Sequence, residues 1–228
     1  MPTLTWIKNE FAYGYSSGSI TTWLPDRRRR HEERQIGGSY RRFFREAVQP
    51  HLRPDSRVLE IGPGRGSWSS AILGCIPQGQ LHTCDFQDVE AWLRPDEYHG
   101  RLVCHKVSDN SFATLTDGFF DVFFSVGVLC HNNAQHIGEI MTNARSKMKT
   151  GAVAVQHYAD WHKLDALGWA PVHNIPAQFR DLSDDDIWWP RNDPDTMTRL
   201  CEEAGWQVIE PDLGSFARDS VILLRNGG

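Results

Sequence analysis

Short apolar segments alternate with amphipathic segments through most of the chain beyond residue 56. The apolar segments predict five strands, at Arg57–Ile61, Gln80–Phe86, Arg101–Val107, Phe119–Val126 and Ala152–Tyr158. Apolar residues at helical spacing predict helices over Ser67–Leu73, Asp88–Leu93 and Ala134–Met148. Strands that alternate with helices pair in parallel through right-handed crossovers. The pattern therefore predicts a doubly wound α/β sheet.

The C-terminal part of the chain extends this sheet with a helix and two strands. The helix is predicted over Asp193–Ala204, and the strands lie near Gln207–Pro211 and Ser220–Leu224. About eight residues separate the two strands, too few for a crossover helix, so they should pair antiparallel. The predicted fold is a seven-stranded, mostly parallel sheet with an antiparallel terminal strand and helices on both faces.

Two segments depart from the alternation of strands and helices. Residues 1–38 are polar and aromatic and end in the double glycine Gly37-Gly38. Ser39 is a candidate cap for a helix over 39–52. Residues 161–195 contain four tryptophans with several prolines and aspartates. We therefore predict one ligand-binding domain over residues 39–228, a substrate-side insertion over 161–195, and an N-terminal lid over 1–38.

The composition narrows the class of protein. Of the 228 residues, 40% are hydrophobic and 23% charged, as in ordinary globular proteins, and the net charge of -5 disfavours a nucleic-acid partner. The five cysteines show no C-x-x-C spacing, so we expect reduced thiols and no metal site. Met1 to Asn9 contain no signal-peptide core, and no apolar run approaches the roughly 20 residues of a membrane span. We expect a cytoplasmic monomer or homodimer without a membrane partner.

A glycine-rich turn follows the first predicted strand, in the sequence Glu60-Ile61-Gly62-Pro63-Gly64-Arg65-Gly66. Glycines let the backbone turn sharply and approach a ligand, and the next helix offers free N–H groups to an anion. Either a dinucleotide or S-adenosylmethionine (SAM) uses such a turn. Two details favour SAM. The spacing is G-x-G-x-G instead of G-x-G-x-x-G, and Glu60 would repel a pyrophosphate but suit an ammonium group.

Polar residues also follow the second and third predicted strands. Asp85 ends the second strand, where a carboxylate can accept hydrogen bonds from both ribose hydroxyls. Asp109 or Asn110, after the third strand, can accept a hydrogen bond from the adenine amino group. The alternatives are a solvated acid at Asp85 and an ordinary turn at Asp109 and Asn110.

In their order and spacing, these elements resemble the class I SAM-dependent methyltransferases over roughly residues 39–160 and 196–226. The resemblance implies that Glu60, Gly62, Gly64 and Gly66 hold the methionine end of SAM, Asp85 the ribose, and Asp109 with Asn110 the adenine. Ser125, Val126 and Gly127, which end the fourth strand, would line the methyl-donor side. Pro63, a departure from the family pattern, and Phe86 complete the predicted cofactor-binding set.

The acceptor side of the site is predicted from position alone. The carboxyl ends of the fourth and fifth strands make His131, His157 and Asp160 the candidate catalytic residues. Tyr158, Trp161, Trp188 and Trp189 are the candidate substrate contacts. Each of these residues has a packing or surface role as its alternative, and a methyl transfer that needs only alignment requires no base.

The expected activity is methyl transfer to an oxygen, or as second choice a nitrogen, of a small or medium-sized molecule. Ser125-Val126-Gly127-Val128 stands in place of an N-P-P-Y-like tetrad, which disfavours methylation of amide or nucleobase nitrogens. Two other classes stay open: an NAD(P)-dependent oxidoreductase and a non-catalytic SAM-binding partner protein.

The arginine-rich run from Arg27 to Arg34 has two interpretations. Arg28 with Glu32, and Arg29 with Glu33, would form i,i+4 pairs on a solvated helix. Alternatively, the arginines clamp an acidic acceptor.

Overall fold

The computed structural model of the chain describes residues 15–228. Residues 1–14, which belong to the predicted N-terminal lid, lie outside the described residues. The strands are β1 Arg57–Ile61, β2 Gln80–Asp85, β3 Leu102–Lys106, β4 Phe120–Ser125, β5 Met148–Ala159, β6 Trp206–Glu210 and β7 Asp219–Asn226. They form one sheet in the order β3-β2-β1-β4-β5-β7-β6. Strand β7 runs antiparallel to both β5 and β6, whereas the other neighbours pair in parallel. The predicted fold class is confirmed.

Helices flank the sheet and form the segment before it. They are α1 Arg27–Ile36, α2 Tyr40–Phe43, α3 Ser67–Cys75, α4 Glu90–Leu93, α5 Ala134–Lys147, α6 Trp161–Ala166 and α7 Pro194–Glu203. Ser39 caps α2 as predicted, by accepting the N–H of Arg42. The single helix predicted over 39–52 is instead α2, a π-helical segment Phe44–Val48 and a 3₁₀ turn Gln49–His51. Pro50 has no N–H to continue an α-helical ladder here.

Apolar side chains cover both faces of the sheet. The neighbours Val58 and Leu59 of β1 are fully buried and belong to two different core clusters, one on each face. Strands buried on both sides explain the continuous apolar segments in the sequence. A third cluster fills the insertion around Leu164, Trp169 and Phe179. The insertion therefore has a small core of its own.

The strand order places a ligand-binding crevice at one edge of the sheet. The chain winds outward from β1 to β3 on one side and from β4 to β5 on the other. In open α/β sheets, ligands bind at the carboxyl ends of the strands beside such a reversal. In the described part of the chain, no helix is long and apolar enough to cross a membrane. All five cysteines are free thiols.

Candidate active site

One cavity of about 400 Å³ lies at the carboxyl ends of the central strands. Its volume is in the range of small-molecule sites. Loops of the sheet, helix α1 and the insertion all contribute to its walls. Thirteen predicted site residues line it: Gly62, Pro63, Gly64, Asp85, Phe86, Asp109, Asn110, Val126, Gly127, His131, His157, Trp188 and Trp189. The structure thus brings residues from both predicted halves of the site to one cavity.

The glycine turn needs its glycines for conformation and for space. Gly62, Gly64 and Gly66 have φ angles of +64°, +52° and +80°, a region that residues with a side chain rarely adopt. A Cβ on Gly64 would lie 2.3 Å from the carbonyl oxygen of Tyr15. The indole N–H of Trp92 donates to the carbonyl of Gly64 at 2.7 Å. Sequence reasoning missed Trp92, which fixes the turn from a helix 28 residues away.

Glu60 lies behind the glycine turn and does not line the cavity. Its side chain is 2% exposed and accepts a hydrogen bond from the Ser69 hydroxyl at 2.6 Å. Burial raises the pKa of Glu60 to about 8, against the opposing effect of the Ser69 bond and with a smaller contribution from Asp85. The carboxyl is therefore mostly protonated at neutral pH. The side chain supports the turn from behind, and its contact with an ammonium group, directly or through water, stays a prediction.

Two more residues of the predicted cofactor set lie outside the cavity wall. Gly66 forms the N-cap of α3 and packs against Leu93. The buried hydroxyl of Ser125 donates to the side-chain oxygen of Gln156. We correct the predicted ligand contact of Ser125, since its side chain joins β4 to β5 inside the sheet.

The polar groups after β2 and β3 form the part of the cavity predicted for the nucleoside. Asp85 accepts the backbone N–H of Gln87 at 2.9 Å, and burial raises the pKa of its carboxyl. Asn110 is buried and donates from Nδ2 to Glu139 at 3.2 Å. The exposed Asp109 accepts the N–H of Ser111 at 2.8 Å. Asp109 therefore forms the turn considered as its alternative, while also lining the cavity.

His157 on β5 belongs to a buried chain of polar groups. Its Nδ1 accepts the backbone N–H of Gly127 at 3.2 Å, so in the neutral ring Nε2 carries the proton and donates to Asp219 at 3.0 Å. Burial by itself would raise the pKa of Asp219, but Arg218 and His157 outweigh it and hold the pKa below its usual value. Both ring nitrogens are therefore in use. We correct the predicted role of His157 as a proton acceptor: its ring positions the backbone of Gly127.

Arg218 closes this chain of polar groups at the cavity wall. It binds Asp219 through Nε and Nη2, with its shortest contact at 2.6 Å, and donates from Nη1 to the carbonyl of His173 at 2.8 Å. Its guanidinium lies 4.7 Å from the ring centre of Trp189, within cation–π range. Sequence reasoning missed both Arg218 and Asp219, because nothing near the start of β7 marks them as polar core residues.

His131 lies in the cavity wall beside the insertion. Its Nδ1 is 2.8 Å from the carbonyl oxygen of Trp188, which can only accept, so the proton sits on Nδ1 and the lone pair on Nε2. Burial lowers the pKa of His131 to about 4. The ring is thus a neutral hydrogen-bond acceptor at physiological pH.

Three predicted acceptor-side residues have structural roles away from the cavity lining. Asp160 caps α6 through the N–H of Lys163 and accepts the hydroxyl of Ser220 at 2.6 Å. Tyr158 is fully buried, and its hydroxyl donates to the carbonyl of Pro211. Trp161 packs edge-on against Trp169 in the core of the insertion. Asp160 and Tyr158 have these partners because position at a strand end does not specify which face of the sheet a side chain occupies. Trp161 has the packing role that was its alternative.

The arginine-rich run neither clamps the cavity nor lies entirely in solvent. The predicted pair of Arg29 and Glu33 is present at 3.3 Å. Arg29 is nevertheless 2% exposed and donates to the carbonyls of Ser19, Ile20 and Thr22. Glu32 points to the cavity instead of to Arg28. The run therefore anchors the segment before α1 to that helix.

Comparisons with known proteins agree with this geometry. A family model for a methyltransferase domain matches residues 28–210. A search of curated proteins finds no significant match. The fold is similar to that of a possible exported protein from Bordetella parapertussis, with a TM-score of 0.65 at 16% identity, covering 95% of this chain and 81% of that one.

Two further solved structures share the fold. A SAM-dependent methyltransferase from Aquifex aeolicus has a TM-score of 0.61 at 13% identity, covering 86% of this chain and 93% of that one. The 1,6-didemethyltoxoflavin-N1-methyltransferase from Burkholderia thailandensis, solved with S-adenosylhomocysteine, has a TM-score of 0.54 at 11% identity, covering 76% and 72%.

The chain belongs to the methyltransferase-domain family, whose model spans most of its length. The predicted class, a SAM-dependent methyltransferase with the class I fold, is confirmed, and the alternative of an NAD(P)-dependent oxidoreductase is wrong.

Proposed function

We propose that the chain transfers the methyl group of SAM to an oxygen, or as second choice a nitrogen, of a small molecule held in the cavity. The observation that carries this proposal is the continuity of the cavity. The glycine turn and Asp85 line the same space as His131, Trp188 and the lid helix α1. A cavity with walls on all these sides suits an acceptor of small size better than a macromolecule.

The cofactor-side residues fit SAM by chemistry and position. Gly62 and Gly64 offer close backbone approach to the methionine end. Asp85 is a half-buried carboxylate that two ribose hydroxyls would satisfy, and Asn110 lies where the adenine ring would be recognised. When bound, SAM would supply an electrophilic methyl carbon, whose bond to the positively charged sulfur breaks as the bond to the acceptor forms.

The acceptor-side residues align the acceptor. His157 fixes the backbone of Gly127 beside the methyl-donor position through the 3.2 Å bond to its N–H. His131 would contact the acceptor from the wall of the same cavity. With a pKa of about 4 it is too weak a base to remove a proton before the transfer. Alignment of the acceptor in a cavity that excludes water would therefore account for most of the rate acceleration.

Residues 15–38 and the insertion would close over this site as the predicted lid and substrate segment. A cytoplasmic location, a monomeric or homodimeric state, and the lack of nucleic-acid or membrane partners remain part of the same proposal.

Two measurements test the proposed function. Isothermal titration should show micromolar or tighter binding of S-adenosylhomocysteine and no comparable binding of NAD. Purified protein with SAM labelled on its methyl group should then be incubated with extract of its host, and the products separated by ultrafiltration. We expect label among the small molecules. The methyl-carbon chemical shift of the product distinguishes O-methyl from N-methyl.

Three outcomes contradict separate parts of the proposal. Failure to bind S-adenosylhomocysteine would exclude the cofactor site. Label confined to macromolecules would exclude a small acceptor. Tight binding with no labelled product in any fraction would favour the non-catalytic SAM-binding alternative.

A further inference from the structure

Helix α1 places a buried carboxylate in the cavity wall. Glu32 is 6% exposed and lines the cavity, although its sequence context suggested a solvated ion pair. Its carboxylate accepts the hydroxyl of Tyr40 at 3.3 Å and also accepts hydrogen bonds from the side chains of Tyr15 and Ser17. Among residues 15–228, no lysine, arginine or histidine forms an ion pair with it. Buried carboxylates are usually paired with a cation, so this one calls for an explanation.

Glu32 lies in the cavity wall between the glycine turn and the strands β5 and β7. Its hydrogen-bond partner Tyr15 accepts the backbone N–H of Arg65 in the glycine turn at 2.7 Å. The ring of Tyr40, another hydrogen-bond partner of Glu32, packs against Phe216 with centroids 5.8 Å apart, and Phe216 packs against His157 at 5.9 Å. This chain of contacts connects Glu32 to β5 and β7. Asp85 follows β2, on the other side of the sheet centre. These contacts separate Glu32 from the nucleoside end of the cavity, and an ammonium group that reaches it would belong to the acceptor or to the methionine end of the cofactor.

The charges that residues 15–228 place around Glu32 leave its carboxylate uncompensated. The cation of the same wall, Arg218, is bound by Asp219 through three contacts of 3.0 Å or less. Three hydroxyl donors occupy up to three of the roughly four lone-pair positions of a carboxylate, which leaves room for a further donor. Burial raises the pKa of Glu32, with the hydroxyls of Tyr15, Ser17 and Tyr40 opposing it. A cationic donor in the cavity would satisfy both the charge and the remaining lone pair.

Aromatic rings surround the same space. Tyr40 and Trp68 both line the cavity and pack edge-on at 5.1 Å, while Trp188 and Trp189 line it from the insertion. Aromatic faces attract ammonium groups, and the attraction grows when water is excluded. A carboxylate beside such rings is a chemically suitable site for an organic cation.

We propose that Glu32 binds an ammonium group of the methyl acceptor, so that the acceptors of this enzyme are small amines. This inference rests on the proposed function, since it names the substrate class of the same cavity. The ammonium is a recognition group when an oxygen is methylated. When a nitrogen is methylated, that amine must lose its proton to solvent before it attacks, and Glu32 would orient the remaining N–H.

The test uses three probes of one shape and different charge. Phenethylamine, phenethyl alcohol and phenylacetate are titrated calorimetrically into the full chain saturated with S-adenosylhomocysteine. We expect saturable binding of phenethylamine that is at least tenfold tighter than that of the alcohol, and no detectable binding of phenylacetate. Equal affinity for the amine and the alcohol, or no amine binding, would overturn the proposal.

Two variants link the amine selectivity to the carboxylate. Glu32→Gln keeps the shape of the side chain and should weaken phenethylamine about tenfold while leaving the alcohol unchanged. Glu46→Gln makes the same chemical change on an exposed side chain paired with Arg42, and should change neither affinity. If Glu32→Gln does not fold, Tyr40→Phe removes one hydroxyl from the carboxylate and should shift the amine-to-alcohol ratio severalfold.

The affinity for S-adenosylhomocysteine distinguishes binding of the acceptor by Glu32 from binding of the cofactor by Glu32. It also distinguishes failure of this inference from failure of the proposed function. If Glu32→Gln weakens S-adenosylhomocysteine more than it weakens phenethylamine, the carboxylate binds the ammonium of the cofactor and the inference is wrong. If the wild-type chain binds S-adenosylhomocysteine but shows no preference for the amine, only the inference fails. If it binds no S-adenosylhomocysteine, the proposed function itself fails.

Discussion

The two ends of the cavity are built differently. At the cofactor end, the proposed ribose carboxylate is held by a residue close to it in the sequence. Asp85 is fixed by the N–H of Gln87, two residues away. At the acceptor end, the polar groups are held by distant residues. His157 and Asp219 lie 62 residues apart, and Arg218 reaches His173 across 45 residues.

Because of this difference, we expect the cofactor end to contribute mainly to ligand affinity and the acceptor end mainly to folding stability. A carboxylate that awaits ligand donors contributes to affinity more than to folding. A buried pair such as Arg218 and Asp219 is different, because removing one partner leaves an uncompensated charge inside the protein. We therefore expect substitutions at the cofactor end to weaken ligand binding, and substitutions at the acceptor end to reduce stability and rate.

The largest effect is expected for Asp219→Asn. The change leaves Arg218 buried without its counter-charge and removes the anionic acceptor of His157, so unfolding free energy should fall by about 3 kcal/mol. Unfolding in denaturant measures this change in unfolding free energy. Glu46→Gln breaks an exposed pair with Arg42 and should lose less than about 1 kcal/mol. Equal losses in the two variants would contradict the difference between the ends. Affinity of Asp219→Asn for S-adenosylhomocysteine should change by less than about threefold.

The second effect concerns the glycine turn. In Gly64→Ala the new Cβ would lie 2.3 Å from the Tyr15 carbonyl at a φ of +52°, so the turn must move. We expect S-adenosylhomocysteine affinity to fall by about 100-fold, or about 2.7 kcal/mol, in calorimetric titration. Gly74→Ala, in the helix that follows, meets open space and is the matched control. An unchanged affinity in Gly64→Ala would show that the cofactor does not use this turn.

The third effect concerns the proposed ribose contact. Asp85→Asn removes the charge that two hydroxyls would share, and should weaken S-adenosylhomocysteine by about 10- to 100-fold. Stability should change little, since burial already raises the pKa of this carboxyl. Asp88→Asn, three residues on and exposed, should bind normally. If Asp85→Asn lost stability but kept its affinity for S-adenosylhomocysteine, Asp85 would be a structural residue and not the ribose ligand.

The smallest effect is a pH dependence at Glu60. Its pKa is 4.5 ordinarily and about 8 in the folded protein, so between these values the folded chain holds a proton that the unfolded chain has released. Stability from this group therefore falls as pH rises through that window. Between about pH 5 and about pH 6, the wild type should lose roughly 1 kcal/mol relative to Glu60→Gln.

Chemical unfolding of the protein without cofactor at the two pH values measures this difference. Glu203→Gln, an exposed carboxylate paired with Arg199, serves as the control and should parallel the wild type. Parallel behaviour of Glu60→Gln and wild type would show that Glu60 is not buried behind the turn.

The same division explains which parts of the molecule could be predicted from sequence. The sheet, its strand order and the positions of Gly62, Gly64 and Asp85 follow from local periodicity and short motifs. The acceptor wall does not, because the partners of His157 and Glu32 come from other elements. Nothing local distinguishes Glu32, which faces the cavity, from Glu33, which pairs with Arg29.

Position at the end of a strand predicted some of the cavity-lining residues but not all of them. Residues that follow a strand in the parallel part of the sheet reach the cavity edge, as Asp85 and Gly127 do. The side chains of Asp160 and Tyr158 at the end of β5 turn instead to Ser220 and Pro211. Which neighbour a side chain meets depends on the antiparallel pairing with β7.

A crystal structure with S-adenosylhomocysteine bound tests the central claim most directly. We expect the ribose hydroxyls on Asp85, the adenine beside Asn110, and the sulfur facing Gly127, with the space next to Glu32 and His131 left for the acceptor. A cofactor bound in the opposite direction, with its ribose at Glu32 or its sulfur beside Asp109, would contradict this claim.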